Sequence, residues 1–145
     1  MEAIEILKDK LVGQFISRFS AGDTWDLSID GYWLMAQEIF SKDETLFNMW
    51  LQNDYHLYDS TVDKEDISKS AIVASILRRE ITDLKLDELC NLTLEFEGGA
   101  ELVLLTSAAI VDWQWCLNKT GSIPYSDYLV ACFWEGEIAV NENQD

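Results

Sequence analysis

The chain has 145 residues, with 27 acids against 10 lysines and arginines and a single histidine, so its formal net charge is −17. Apolar residues make up 48% and aromatic residues 12%, with one proline and three cysteines. A chain of this size and composition fills a core without a disulfide or metal staple, which excludes disorder as its main state. No stretch approaches the roughly 20 apolar residues of a membrane span.

In chain order, Met1-Glu2-Ala3-Ile4-Glu5 lacks the basic flank and apolar block of a secretory signal. Ile4, Leu7 and Leu11 have helical spacing, which predicts a helix over Glu2 to Leu11. Phe15 to Phe19 is strand-like. Trp25, Leu27 and Ile29 alternate with Asp26, Ser28 and Asp30, the pattern of a strand with one wet face. Gly31 turns the chain, and Tyr32 to Ile39 returns as a strand. Gln52 to Asp66 carries five acids against one lysine and reads as a polar surface connection. Ile67, Ala71, Ala74 and Leu77 predict a second helix over Glu65 to Leu77, with acids in its first turn and Arg78 and Arg79 at its end.

Ile81 to Leu84 opens a second run of strands. Leu92, Leu94 and Phe96 alternate with Thr93, Glu95 and Glu97, and Glu97-Gly98-Gly99-Ala100 forms a hairpin turn. Leu102 to Leu105 and Ile110 to Leu117 read as further strands, the latter holding Trp113 and Trp115. Pro124 lies in a loop, and Ser126 to Trp134 suits a helix or a strand equally. The expected architecture is α+β. It comprises one domain over residues 1–145, with two antiparallel meanders of about four strands each and flanking helices. A shift of 65 residues sets Leu11 to Asp30 against Ile76 to Glu95, and half of those twenty positions match in type. This predicts pseudo-repeats over about residues 1–65 and 66–130.

Candidate chemistry is sparse. His56 is the only residue able to serve a histidine-based triad, and Asp54-Tyr55-His56-Leu57-Tyr58 offers no nucleophile motif beside it. Cys90, Cys116 and Cys132 lack zinc spacing and sit among apolar residues, so they read as core. The odd cysteine count without C-x-x-C fits a reducing compartment, hence a cytoplasmic protein. Asp59, Asp63, Glu65 and Asp66 form the densest acidic group, but a calcium loop needs a central glycine that this stretch lacks. The same four acids suit either a solvated loop or a contact for a basic partner. No phosphate-binding glycine loop or zinc-protease motif is present, so neither a cofactor nor a metal nor a catalytic residue is expected.

The charge itself has direction. A net −17 repels phosphate backbones and anionic membranes and attracts basic proteins, although acidity also serves plain solubility. Asp26, Asp30, Glu95, Glu97 and Glu101 are expected on wet strand faces or hairpin ends. There they could contact a partner or guard strand edges against pairing. Trp33, Tyr55 and Tyr58 lie near acids in sequence and suit interface anchors, with packing in the core as their ordinary role. The candidate partner-binding set is therefore these eight residues together with the four acids of the linker.

The run Ile81-Thr82-Asp83-Leu84, Leu92 to Leu102 with its Glu97-Gly98-Gly99-Ala100 turn, and Trp113-Gln114-Trp115 resembles small bacterial immunity proteins of contact-dependent growth inhibition systems, the CdiI proteins. The resemblance covers Arg79 to Leu117, with a fainter copy in Leu11 to Ile39. Its motifs are ones any half-buried meander can write. Length, acidity and the two-half layout are also similar to the Enterobacter-type immunity proteins, which are paired with toxins that cleave ribosomal RNA. That resemblance implies a Whirly-like fold, without nucleic-acid binding, and a one-to-one complex of an otherwise monomeric chain with a basic toxin domain. The expected function is neutralisation of a nuclease toxin by occlusion. The alternatives are an acidic mimic of nucleic acid that inhibits a host nuclease or restriction system, and a small enzyme or sugar-binding module.

Overall fold

A computed structural model describes residues 2–55, 64–109, 111–123 and 126–141. The chain begins with α1 (Ala3–Leu11), which buries Ala3, Leu7 and Leu11 on one face. A capping box closes its start: the backbone N–H of Glu2 donates to the Glu5 carboxylate at 3.0 Å. Lys8 and Lys10 lie in its last turn, where cations suit the helix dipole.

Three strands follow, β1 (Arg18–Ala21), β2 (Trp25–Ile29) and β3 (Tyr32–Ala36), then a short β4 (Ile39–Phe40). Two helices come next, α2 (Glu44–Asp54) and α3 (Lys64–Ile76). The second half supplies β5 (Ile81–Leu86), β6 (Leu92–Phe96), β7 (Glu101–Leu104), β8 (Trp113–Lys119), β9 (Tyr128–Phe133) and β10 (Glu137–Val140). The strands form a six-stranded sheet in the order β1-β2-β3-β8-β9-β10 and a four-stranded sheet in the order β4-β7-β6-β5. Every pairing is antiparallel.

Both sheets turn an apolar face to one shared core. Leu27, Ile29 and Leu117 come from the larger sheet; Leu84, Leu94 and Leu102 come from the smaller. Leu7 and Leu11 of α1 and Val73 and Ile76 of α3 complete the same cluster. Trp115 joins the two sheets. It is fully buried, and its indole N–H donates to the Cys90 carbonyl at 2.9 Å, so the ring leaves no unpaired donor in the core.

The α+β class and the antiparallel sheets are as the alternation predicts. The strands, however, do not segregate by half. Strand β8 pairs with β3, and β4 pairs with β7, so each sheet draws on both halves of the chain. Tyr32 to Ile39 is not one strand: the chain leaves the larger sheet after Ala36 and enters the smaller at Ile39. The strand expected at Phe15 begins at Arg18, and the one expected at Ile110 begins at Trp113. Residues 128–133 form a strand. The polar connection expected from Gln52 is still helix as far as Asp54. Trp134, expected to be packed, is 44% exposed. Among the described residues no helix is long and apolar enough to cross a membrane.

The loop at Trp134–Gly136 packs against the turn after β5. A Cβ on Gly136, whose φ is +79°, would lie 2.8 Å from the Leu89 carbonyl oxygen. Gly121 has a φ of +89° with nothing within 4 Å of the same atom. Gly136→Ala should therefore cost about 2–4 kcal/mol in urea denaturation, from both strain and overlap. Gly121→Ala should cost only about 1 kcal/mol, from strain alone. Equal losses would contradict the close approach.

Candidate functional site

Helix α2 is built inside out. Positions 44, 48 and 51 share one helix face, and that face meets α3 with Glu44, Asn48 and Leu51. Two of those three are polar, and their contacts are specific. The Lys69 ammonium of α3 lies 2.6 Å from the Glu44 carboxylate and 2.6 Å from the Ile39 carbonyl. The buried Ser68 hydroxyl donates to the Asn48 side chain. Leu51 is the only buried residue of the helix.

The opposite face is apolar and open. Leu46, Met49 and Trp50 are 68%, 52% and 51% exposed, at the i, i+3, i+4 spacing of one stripe. Tyr55, just past the helix, stacks on Trp50 with ring centroids 5.7 Å apart. Asp43, Leu46, Phe47 and Trp50 line a shallow pocket of about 470 Å³. Asp43 and Phe47 also line a neighbouring groove of about 240 Å³, whose far wall is Arg79 and the β6–β7 hairpin from Gly98 to Glu101. Apolar ridge and acidic hairpin therefore meet across one groove.

Carboxylates line up on the open face of the four-stranded sheet. Asp83, Glu95 and Glu101 are cross-strand neighbours in a single row. Like charges placed directly opposite destabilise a sheet. Two of them are relieved, Asp83 by Lys8 at 3.2 Å and Glu95 by Lys85 at 3.3 Å. The Leu84 backbone N–H, with the Lys8 side chain, holds the Asp83 carboxyl below its ordinary range. At Asp87 burial works upward, but hydrogen bonds from the side chain and backbone of Asn91 and from the Leu89 N–H outweigh it, and its carboxyl also sits low. Both aspartates are charged at neutral pH.

The predicted contact residues divide into three places. Tyr55 is on the α2 ridge, and Glu101 lines its groove. Glu95 and Glu97 sit on the same hairpin, where the Glu97 carboxylate accepts the Glu80 backbone N–H. Glu65 and Asp66 are exposed in the first turn of α3. Tyr58, Asp59 and Asp63, with His56, lie outside the described residues. Asp26, Asp30 and Trp33 are on the six-stranded sheet instead, Asp30 at the exposed β2–β3 turn with a φ of 44°. Asp26 and Trp33 share its open face, where Asp26 accepts hydrogen bonds from Thr24 and Ser20.

Sequence reasoning missed the ridge. Leu46, Phe47, Met49 and Trp50 carry a helical stripe, but the polar partners on the other face hide which side is inward. The three cysteines offer no nucleophile. Burial, with Cys90 nearby, pushes the Cys132 thiol up to about 12. Burial, with Asp87, also raises that of Cys90. Cys116 is fully buried. Among the described residues no group of three or more histidine, cysteine or acidic side chains could hold a metal ion.

No family model, no curated protein and no solved structure matches this chain.

The seating of α2 should depend on one cation. Lys69→Met leaves Glu44 and the Ile39 carbonyl without their shared donor, a change worth about 3 kcal/mol for a largely buried pair. Backbone amides of α2 should then exchange about 100-fold faster, while those of β8 keep their protection. Unchanged exchange over α2 would show that the ion pair does not hold it.

Proposed function

We propose that this chain is a non-enzymatic immunity protein that binds one basic toxin domain and neutralises it by covering its positive surface. The toxin class that fits is a nuclease, including one acting on ribosomal RNA, because such an enzyme must present cations to a phosphate backbone. The reading rests on one observation above all: an apolar helical ridge faces solvent beside carboxylates, in a chain of net charge −17. Acids steer a basic partner to the surface, and a few desolvated aromatics supply most of the binding energy. Trp50 and Leu46 are suited to the second role, and Asp43 and Glu101 to the first.

The row of Asp83, Glu95 and Glu101 favours a second reading, an acidic mimic of nucleic acid that inhibits a host nuclease or restriction enzyme. Such a mimic would bind several targets, whereas an immunity protein holds one.

Co-expression with the toxin domain encoded immediately upstream tests the proposal. A stable complex that abolishes toxin activity is the expected outcome. Trp50→Ala should weaken it about 30-fold or more, as for a central aromatic anchor. Raising salt from about 0.05 to 0.5 M should slow association about tenfold or more while changing dissociation little. A folded chain that captures no toxin would remove the immunity reading. A salt-independent association rate would remove the steering role of the acids.

A further inference from the structure

The six-stranded sheet has a second apolar face, turned away from the core. Helices α1 and α3 bury their apolar residues in the core cluster on the other side, and no described helix lies on this one. Its register defines three rows running across the strands. The first holds Arg18, Ser28, Trp33, Asn118 and Tyr128. The second holds Asp26, Met35, Cys116 and Ala131. The third holds Trp113, Phe133 and Glu137. The large rings are in the outer rows and are partly exposed, and Tyr128 meets Phe133 edge-on at 5.8 Å. The middle row is lower: Met35 is 8% exposed and Cys116 and Ala131 are fully buried. The surface is thus a shallow trough between aromatic ridges.

Charge decides what fits it. Elsewhere the chain is crowded with acids, but the charged residues of these rows are Arg18, Asp26 and Glu137, the first and last on edge strands. A basic partner would gain little here. A second copy of the same chain, repelled everywhere else by like charge, is repelled least at this face. A twofold interface sets a patch against itself, so it needs self-complementary shape and charge.

We propose that this open face pairs two copies of the chain face to face. A twofold axis running across the strands, between the Trp33 row and the Met35 row, lays each aromatic ridge over the other copy's trough. The same operation brings Arg18 of one copy to the β1–β2 edge of the other, beside Asp26. Thr24 and Ser20 already orient that carboxylate at 2.9 and 3.2 Å, and it has lone pairs left to accept from a guanidinium. Five strand spacings by five residues give a plate of about 24 by 17 Å. That is the small end of stable interfaces, and it sets the expected dissociation constant in the micromolar range. The α2 ridge stays free in such a pair, so each copy can still take a partner.

Sedimentation equilibrium of the purified chain from about 1 to 500 μM tests this directly. Expected is a concentration-dependent shift from the 16.6 kDa chain mass to twice that value. Arg18→Glu, an exposed position, should weaken the pair about tenfold by setting like charges together. Adding Asp26→Arg should restore it, with circular dichroism checking that both variants stay folded. Trp33→Ser should weaken it independently of charge. A monomer at 500 μM overturns the proposal. So does a dimer that ignores Arg18→Glu and Trp33→Ser, or one that is lost instead on Trp50→Ser. None of these outcomes depends on whether a toxin is bound.

Discussion

The ammonium of Lys69 decides how this molecule presents itself. It is shared between the Glu44 carboxylate and the Ile39 carbonyl, and it holds α2 by polar contacts where a globular helix would ordinarily use a buried apolar stripe. A helix held this way can turn its apolar stripe outward. Leu46, Met49 and Trp50 then face water, at a cost that an ordinary surface helix avoids. Residues that core packing does not require to be apolar, yet are apolar and clustered, are most simply explained by a partner that covers them.

The rest of the fold supports that arrangement. One core lies between two sheets that share strands from both halves of the chain, and Trp115 bridges them through the Cys90 carbonyl. This makes a stiff body on which α2 and the β6–β7 hairpin sit side by side. The hairpin contributes Glu101 and Gly98 to the groove wall, and Arg79 closes it. The guanidinium lies 3.1 Å from where a Cβ on Gly98 would be, so the glycine leaves the space that the arginine occupies. Rigid flanks with a polar rim around an apolar strip are what tight, specific docking needs, because little side-chain freedom is lost on binding.

Local pattern made much of the scaffold legible. Alternation at Trp25–Ile29 and Leu92–Phe96 predicts the strands that form there, and the Gly98-Gly99 turn joins β6 to β7. The helical spacing of Leu7 and Leu11 places α1 on the core. What stayed hidden depends on long-range partners. Nothing local says that β3 should pair with β8 or that β4 should leave its neighbours for β7. Helix α2 escaped because its inward face is Glu44 and Asn48, whose apolarity rule is inverted by Lys69 and Ser68 some twenty residues away. The predicted contact residues were chosen by charge and by nearness in sequence. The fold separates Trp33 and Asp26 on the larger sheet from Tyr55 and Glu101 beside α2.

Hydrogen exchange of the chain alone and in complex with its co-expressed toxin domain tests the central claim most directly, since it reads the contact face without mutation. The account predicts slowed amide exchange over Glu44–Tyr55 and over the hairpin from Glu97 to Glu101, with no change along β2 and β3. Protection confined to the six-stranded sheet, with α2 exchanging as in the free chain, would contradict it.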